Sequence, residues 1–301
     1  MMKKALLLLI VLCSACSFFS QKPLPPSKPL VIVSAAPYIE IVKQIAGEKV
    51  FVQSIIPPDV DPHNFEPSPR DMGPLLHTAL WIQVGEGFEP LLENRLKETT
   101  PSIHILNLPS VTKTLKGACH CHHHHHDEGH DIDTHYWLDP ITVAHQAKSI
   151  AAFLTLVLPQ EEKYFQERTL QLKSKLYALN KKLTEELAPF KGGVFLTTHK
   201  AYGYFCNRYH LIQIGIEPED GKEMRSKEIQ HVMEEAKEHK NELIGVLMQP
   251  QHVNRAAETI AATFKLPLFM VNPYEEDYIA TINELATITK EYASTRELSL
   301  P

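Results

Sequence analysis

The sequence predicts an α/β fold: two lobes, each a parallel sheet flanked by helices, joined by one long rigid helix. Three observations carry this. Short apolar, β-branched runs alternate with segments of helical period from Leu30 to Leu106, and the alternation resumes at Val194. Between the two series, Phe165, Leu172, Leu176, Leu179, Leu183 and Leu187 fall on one stripe of a helix well above the usual length. Glycines and prolines punctuate both series where strands and helices should end.

Leu30-Val31-Ile32-Val33 is a continuous apolar run, as in a strand buried on both faces. A helix from about Tyr38 to Ala46 follows and stops at Gly47. Val50 to Ile56 reads as the second strand. Ser68 followed by Pro69 has the form of an N-cap with proline at the first helical position, opening a helix to about His77. Leu80 to Val84 is the third strand, closed by Gly85 and Gly87; a helix over Glu89 to Lys97 and a strand over Ile103 to Leu106 complete the series. Asp139-Pro140 opens a helix to about Leu158, which Pro159 ends. The long helix runs from about Gln160 to Leu187 and is stopped by Pro189 and Gly192-Gly193. The second series has strands at Val194–Leu196, Leu211–Ile214, Leu243–Met248 and Leu268–Val271, and helices at Ser226–His239, Asn254–Phe264 and about Glu276–Tyr292. No sequence repeat links the two series.

The proportions, 44% hydrophobic and 22% charged, are those of a folded chain, and 301 residues suffice for two domains. A net charge of −6 with no basic block beyond the first residues argues against a nucleic-acid partner. Lys3 and Lys4 precede a short apolar run from Ala5 to Leu12, too short to span a bilayer, and then small residues. This is an export signal over residues 1–20. Ser14-Ala15-Cys16 resembles the end of a bacterial lipobox, although Cys13 stands where Leu is usual. Lipid attachment at Cys16 and plain cleavage nearby are both consistent with it. Pro23, Pro25, Pro26 and Pro29 make residues 21–29 a stiff tether. The expected domains are an N-terminal lobe at 30–158, a linking helix at 159–190 and a C-terminal lobe at 191–301. Loss of the signal leaves Cys119, Cys121 and Cys206, no disulfide framework for this length. Cys206, among aromatic residues, reads as a small core residue.

Residues 116–134 form a low-complexity stretch holding Cys119, Cys121, Asp127 and Glu128 among His120, His122, His123, His124, His125, His126 and His130. Imidazole and thiolate suit zinc and other late first-row divalent metals. Three further histidines sit in loops beside strands or helices: His63 between a strand and a helix, His135 just before a helix, and His199 right after the first strand of the second series. Ligands of open α/β sheets bind outside the carboxyl ends of strands, so these loops can converge between the lobes.

Three stretches carry a family resemblance: Asp61-Pro62-His63-x-x-Glu66-Pro67-Ser68-Pro69, His135-x-Trp137-Leu138-Asp139-Pro140 and His199-x-Ala201-Tyr202-Gly203-Tyr204-Phe205. They resemble the metal-receptor substrate-binding proteins of ABC importers, zinc-like subgroup, over about Leu30 to Tyr292. The resemblance implies a metal site in the inter-lobe cleft, with His63, His135 and His199 as ligands and a carboxylate opening the last helix as the fourth: Glu276, or Asp277 in its place. Manganese and iron relatives typically carry Glu where His199 stands. Three imidazoles with one carboxylate or water suit tetrahedral zinc, so zinc is expected ahead of manganese or iron. The expected role is an exported, periplasmic receptor, monomeric, that captures zinc and delivers it to a membrane permease driven by a cytoplasmic ATPase. The histidine-rich loop serves as an auxiliary metal site. Competing readings are an adhesin or surface interaction protein, a His-rich metal buffer, a metallochaperone and a zinc-dependent hydrolase. Catalytic zinc also uses three protein ligands and an open position. No His-Glu-x-x-His motif or separate general base is evident, so no enzyme is expected.

Overall fold

The computed structural model describes residues 28–57, 60–68, 71–116, 132–217 and 224–297. The expected signal with Cys16, and the whole auxiliary set from His120 to His130, lie outside the described residues.

The chain runs β1 (Leu30–Val33), α1 (Pro37–Ala46), β2 (Phe51–Ser54), α2 (Met72–Leu75), β3 (Thr78–Gln83), α3 (Glu89–Thr99) and β4 (His104–Asn107). Then come α4 (Pro140–Val157) and α5 (Glu162–Leu187). The second half is β5 (Val194–Thr197), α6 (Gly203–Tyr209), β6 (Ile212–Gly215), α7 (Ser226–Glu238), β7 (Leu243–Met248), α8 (Arg255–Phe264), β8 (Leu268–Met270) and α9 (Tyr278–Glu297).

All pairings in both sheets are parallel, in the orders β2-β1-β3-β4 and β6-β5-β7-β8. The sheets thus share one topology despite the absence of a sequence repeat. They also share an irregularity. The register of β1 on β3 shifts between Leu30 and Val31, and that of β5 on β7 between Val194 and Phe195. In each sheet the direction of growth reverses between the first and third strands. Ligand-binding crevices therefore open at the carboxyl ends of β1 and β3, and of β5 and β7.

Both faces of each sheet are covered. Ile32, Trp81 and Leu92 belong to an apolar cluster on one side of the first sheet. Val194, Leu196, Val246 and Ala257 belong to its counterpart on the second. A third cluster is continuous across the molecule. It joins Val31 and Leu80 of the first sheet to Leu176 and Leu183 of α5 and to Phe195 and Leu247 of the second sheet. Phe165, Leu172, Leu176, Leu183 and Leu187 of α5 are buried in it, the stripe expected from the sequence, with Leu179 partly buried against it. A helix of 26 residues spans about 39 Å. Because α5 packs on α1, α4 and α9 along that length, bending it would open a shared core.

Two elements differ from expectation. The helix expected from Ser68 to His77 is reduced to the single turn α2. Ser68 does not cap it; its N–H and hydroxyl both donate to Asp71 Oδ2, at 2.7 and 2.6 Å. Gly73 and Pro74 explain the short length, one by backbone freedom and the other by its missing N–H. Helix α6 is not among the expected elements; its seven residues are too few for a period to register. No helix among the described residues is long and apolar enough to cross a membrane.

Candidate metal centre

His63 sits in the turn Pro62–Asn64 that follows β2, and Asp61 caps this turn by accepting the His63 N–H at 3.1 Å. His135 immediately precedes the turn Tyr136–Leu138, and its backbone N–H donates to Asp133 Oδ1 at 2.9 Å. His199 lies just beyond the carboxyl end of β5. One ring nitrogen from each lies within 4.8 Å of the others. His135 is fully buried and His199 nearly so.

The orientation of the rings is the informative feature. His63 Nδ1 lies 3.0 Å from Glu86 Oε2, His135 Nδ1 2.8 Å from Asp133 Oδ1, and His199 Nδ1 2.9 Å from Glu217 Oε1. A carboxylate accepts and does not donate, so each Nδ1 carries the ring proton and each Nε2 presents a lone pair. His63 Nε2 and His199 Nε2 then face each other at 3.1 Å. Two facing lone pairs repel, and a cation among them removes the repulsion. Carboxylates behind metal-binding imidazoles fix the tautomer and raise ligand basicity.

The electrostatics agree with this arrangement. Burial pushes the Glu86 carboxyl up, but His63, His135 and the Thr134 hydroxyl more than offset it and hold it below the ordinary value. Burial acts the same way on Glu217, and His199 and the Lys200 N–H outweigh it. Burial lowers the His199 imidazole to about 4, against a partial opposing effect of Glu217. The ring is therefore neutral, the form that binds metal. Behind Glu86, burial raises the Glu89 carboxyl to about 7 although it accepts the Val84 and Gly85 N–H groups.

Glu276 and Asp277 are not brought to this centre. Glu276 is about half exposed and pairs with Lys43 at 3.4 Å. Asp277 accepts the Ala280 N–H at 3.0 Å and so serves the start of α9. The turn before α9 points Tyr274 inward instead. Its hydroxyl donates to His135 Nε2 at 2.6 Å and lies 3.4 Å from His63 Nε2. Asp277 meets the helix N-terminus, where negative charge is favoured without a ligand.

Sequence reasoning missed Glu86, Asp133, Glu217, Tyr274 and His252. Two had a local signal: Glu86 stands between two glycines at a strand end, and Asp133 is two residues before His135. His252 stacks on His199, with ring centroids 4.6 Å apart and planes 15° apart.

The family model for ZnuA, the periplasmic component A of the zinc-uptake complex, matches residues 31–292. A putative metal-binding protein of Chlamydia trachomatis serovar D is 28% identical over 286 residues, covering 95% of this chain and 98% of that one. The high-affinity zinc uptake system protein ZnuA of Bacillus subtilis is 25% identical over 279 residues, covering 90% and 86%. A crystal structure of ZnuA superimposes with a TM-score of 0.80 at 25% identity, covering 89% of this chain and 100% of that chain.

Proposed function

The chain belongs to the ZnuA family of periplasmic zinc-uptake components, and from that premise we propose that it captures zinc on His63, His135 and His199 and delivers it to the permease of an ABC importer. The family is one of substrate-binding receptors, not enzymes. The observation that carries the reading is the set of three imidazoles, each with Nδ1 held by a carboxylate and Nε2 turned to a common point. Three neutral nitrogen donors favour zinc over manganese, which prefers oxygen. Water takes the fourth position, beside Tyr274, whose hydrogen bond to His135 Nε2 yields when that nitrogen binds the ion.

The receptor works as an exported monomer. The histidines from His120 to His130 hold zinc weakly and raise its concentration near the centre. The residues flanking that segment are anchored: Lys116 bridges Ile132, and the Tyr204 hydroxyl accepts the Leu115 N–H at 2.8 Å. Release to the permease follows loosening of the cleft.

Zinc titration by calorimetry tests the reading on the wild type, on His63→Ala and on a variant lacking residues 120–130. A tight site that survives the deletion and is lost in His63→Ala supports it. Binding that vanishes with the deletion and ignores His63 makes the protein a His-rich metal buffer instead.

A further inference from the structure

Asp61 and His252 lie beside the three-histidine centre without belonging to it. Asp61 opens the turn that carries His63, and His252 closes the turn Pro250–His252 after β7. They therefore reach toward each other from opposite sheets. His252 Nε2 is buried, has no hydrogen-bond partner among the described residues, and lies 3.6 Å from Asp61 Oδ2. That separation is too long for a hydrogen bond. It is the spacing of two ligands that share one divalent ion at about 2.0–2.2 Å from each.

The position of the pair suits a path to the centre. The His252 ring lies flat on that of His199. The side chains of His252 and Asp61 are 24% and 14% exposed, against 8% for His199 and 10% for His63, which puts the pair on the solvent side. Asp61 is held in place independently: Oδ1 accepts the His63 N–H at 3.1 Å and Oδ2 the Asn64 side-chain amide at 2.5 Å. Oδ2 keeps a further lone pair for an ion.

We propose that Asp61 and His252 form an outer station for zinc, a two-ligand site completed by water, which the ion occupies on its way into and out of the three-histidine centre. The proposal rests on the reading of that centre given above. Two protein ligands hold zinc weakly and exchange it fast, whereas three hold it tightly. Each of the four imidazoles has one carboxylate beside it, Glu86 at His63, Asp133 at His135, Glu217 at His199 and Asp61 at His252, which together match the charge of two divalent ions. Both sites can therefore fill together.

Zinc-edge anomalous diffraction from crystals of the protein soaked in rising zinc tests this. The expected result is a first peak among the Nε2 atoms of His63, His135 and His199, and at higher zinc a second between His252 Nε2 and Asp61 Oδ2. His252→Ala should remove only the second peak and slow zinc loss to excess EDTA at least tenfold. Asp61→Asn, which retains an acceptor for the His63 N–H, should act in the same direction. A filled first site with no second peak at saturating zinc overturns the proposal, as does an unchanged release rate in His252→Ala. Absence of the first peak refutes the three-histidine centre itself.

Discussion

Replacing Glu86 by Gln isolates the charge behind one imidazole. Glu86 is 3% exposed and bonds His63 Nδ1 at 3.0 Å and the Thr134 hydroxyl at 3.1 Å. Gln keeps the shape and an acceptor oxygen and loses the charge. The ring holds that carboxylate about 7 Å from an ion on Nε2. Attraction between one negative charge and a divalent ion at that distance is about 5 kcal/mol at an effective dielectric constant of about 20, and about 1 kcal/mol at that of water. Substitutions behind metal-binding histidines cost about 10–100-fold in affinity. That is about 1.4–2.7 kcal/mol, inside the electrostatic bracket. Glu86→Gln should weaken zinc binding about 30-fold. Competition against a chelator of known affinity measures this, with circular dichroism to verify the fold. Glu276→Ala is the matched control, because its exposed pair with Lys43 contributes at most about 1 kcal/mol to stability and nothing to the centre. Wild-type affinity in Glu86→Gln, or a larger loss from Glu276→Ala, would refute the reasoning.

Three further outcomes follow from the same geometry. The His199 imidazole titrates at about 4 in the folded chain, below its unfolded value, so the unfolded chain takes up the proton first. Metal-free stability should hold above about pH 6.5 and fall by up to about 3 kcal/mol toward pH 4; urea unfolding at pH 7.5 and 4.5 measures it, and equal midpoints count against a neutral buried ring. Arg208 forms two bonds to Asp139, at 2.8 and 2.6 Å, while Asp139 also caps α4. Arg208→Ala should cost about 1–2 kcal/mol in urea unfolding, and an unchanged midpoint would show the pair to be inert. The core shared between both sheets and α5 predicts a small motion on zinc binding. Solution scattering should change the radius of gyration of the ordered core by less than about 1 Å, and a clear compaction contradicts the stiff joint.

Much of the fold was legible because its signals are local. The apolar stripe on α5 and the buried runs of β1, β5 and β7 depend only on neighbours in sequence. The failures were local too: Ser68 and Pro69 had the form of a helix start, but Ser68 bonds Asp71 and the helix covers one turn. At the site, family motifs in three separate loops singled out His63, His135 and His199, and the fold brings their rings together. Glu276 and Asp277 it leaves apart from them; a carboxylate at a helix start reads the same in sequence whether it faces a metal or serves the helix.

The α/β alternation and the long helix could be read from residue type and spacing within a few turns, whereas the three histidines stood out only through the family motifs around them. At His63 and His199, which ring nitrogen faces inward is set by tertiary contacts between distant segments. His63 and His199 stand 136 positions apart and meet at 3.1 Å, and Glu86 and Glu217 set their tautomers from other loops. Such pairings depend on how parallel strands bring their carboxyl ends together, and no local period encodes that. The same convergence set Tyr274 against His135 and left Glu276 facing solvent.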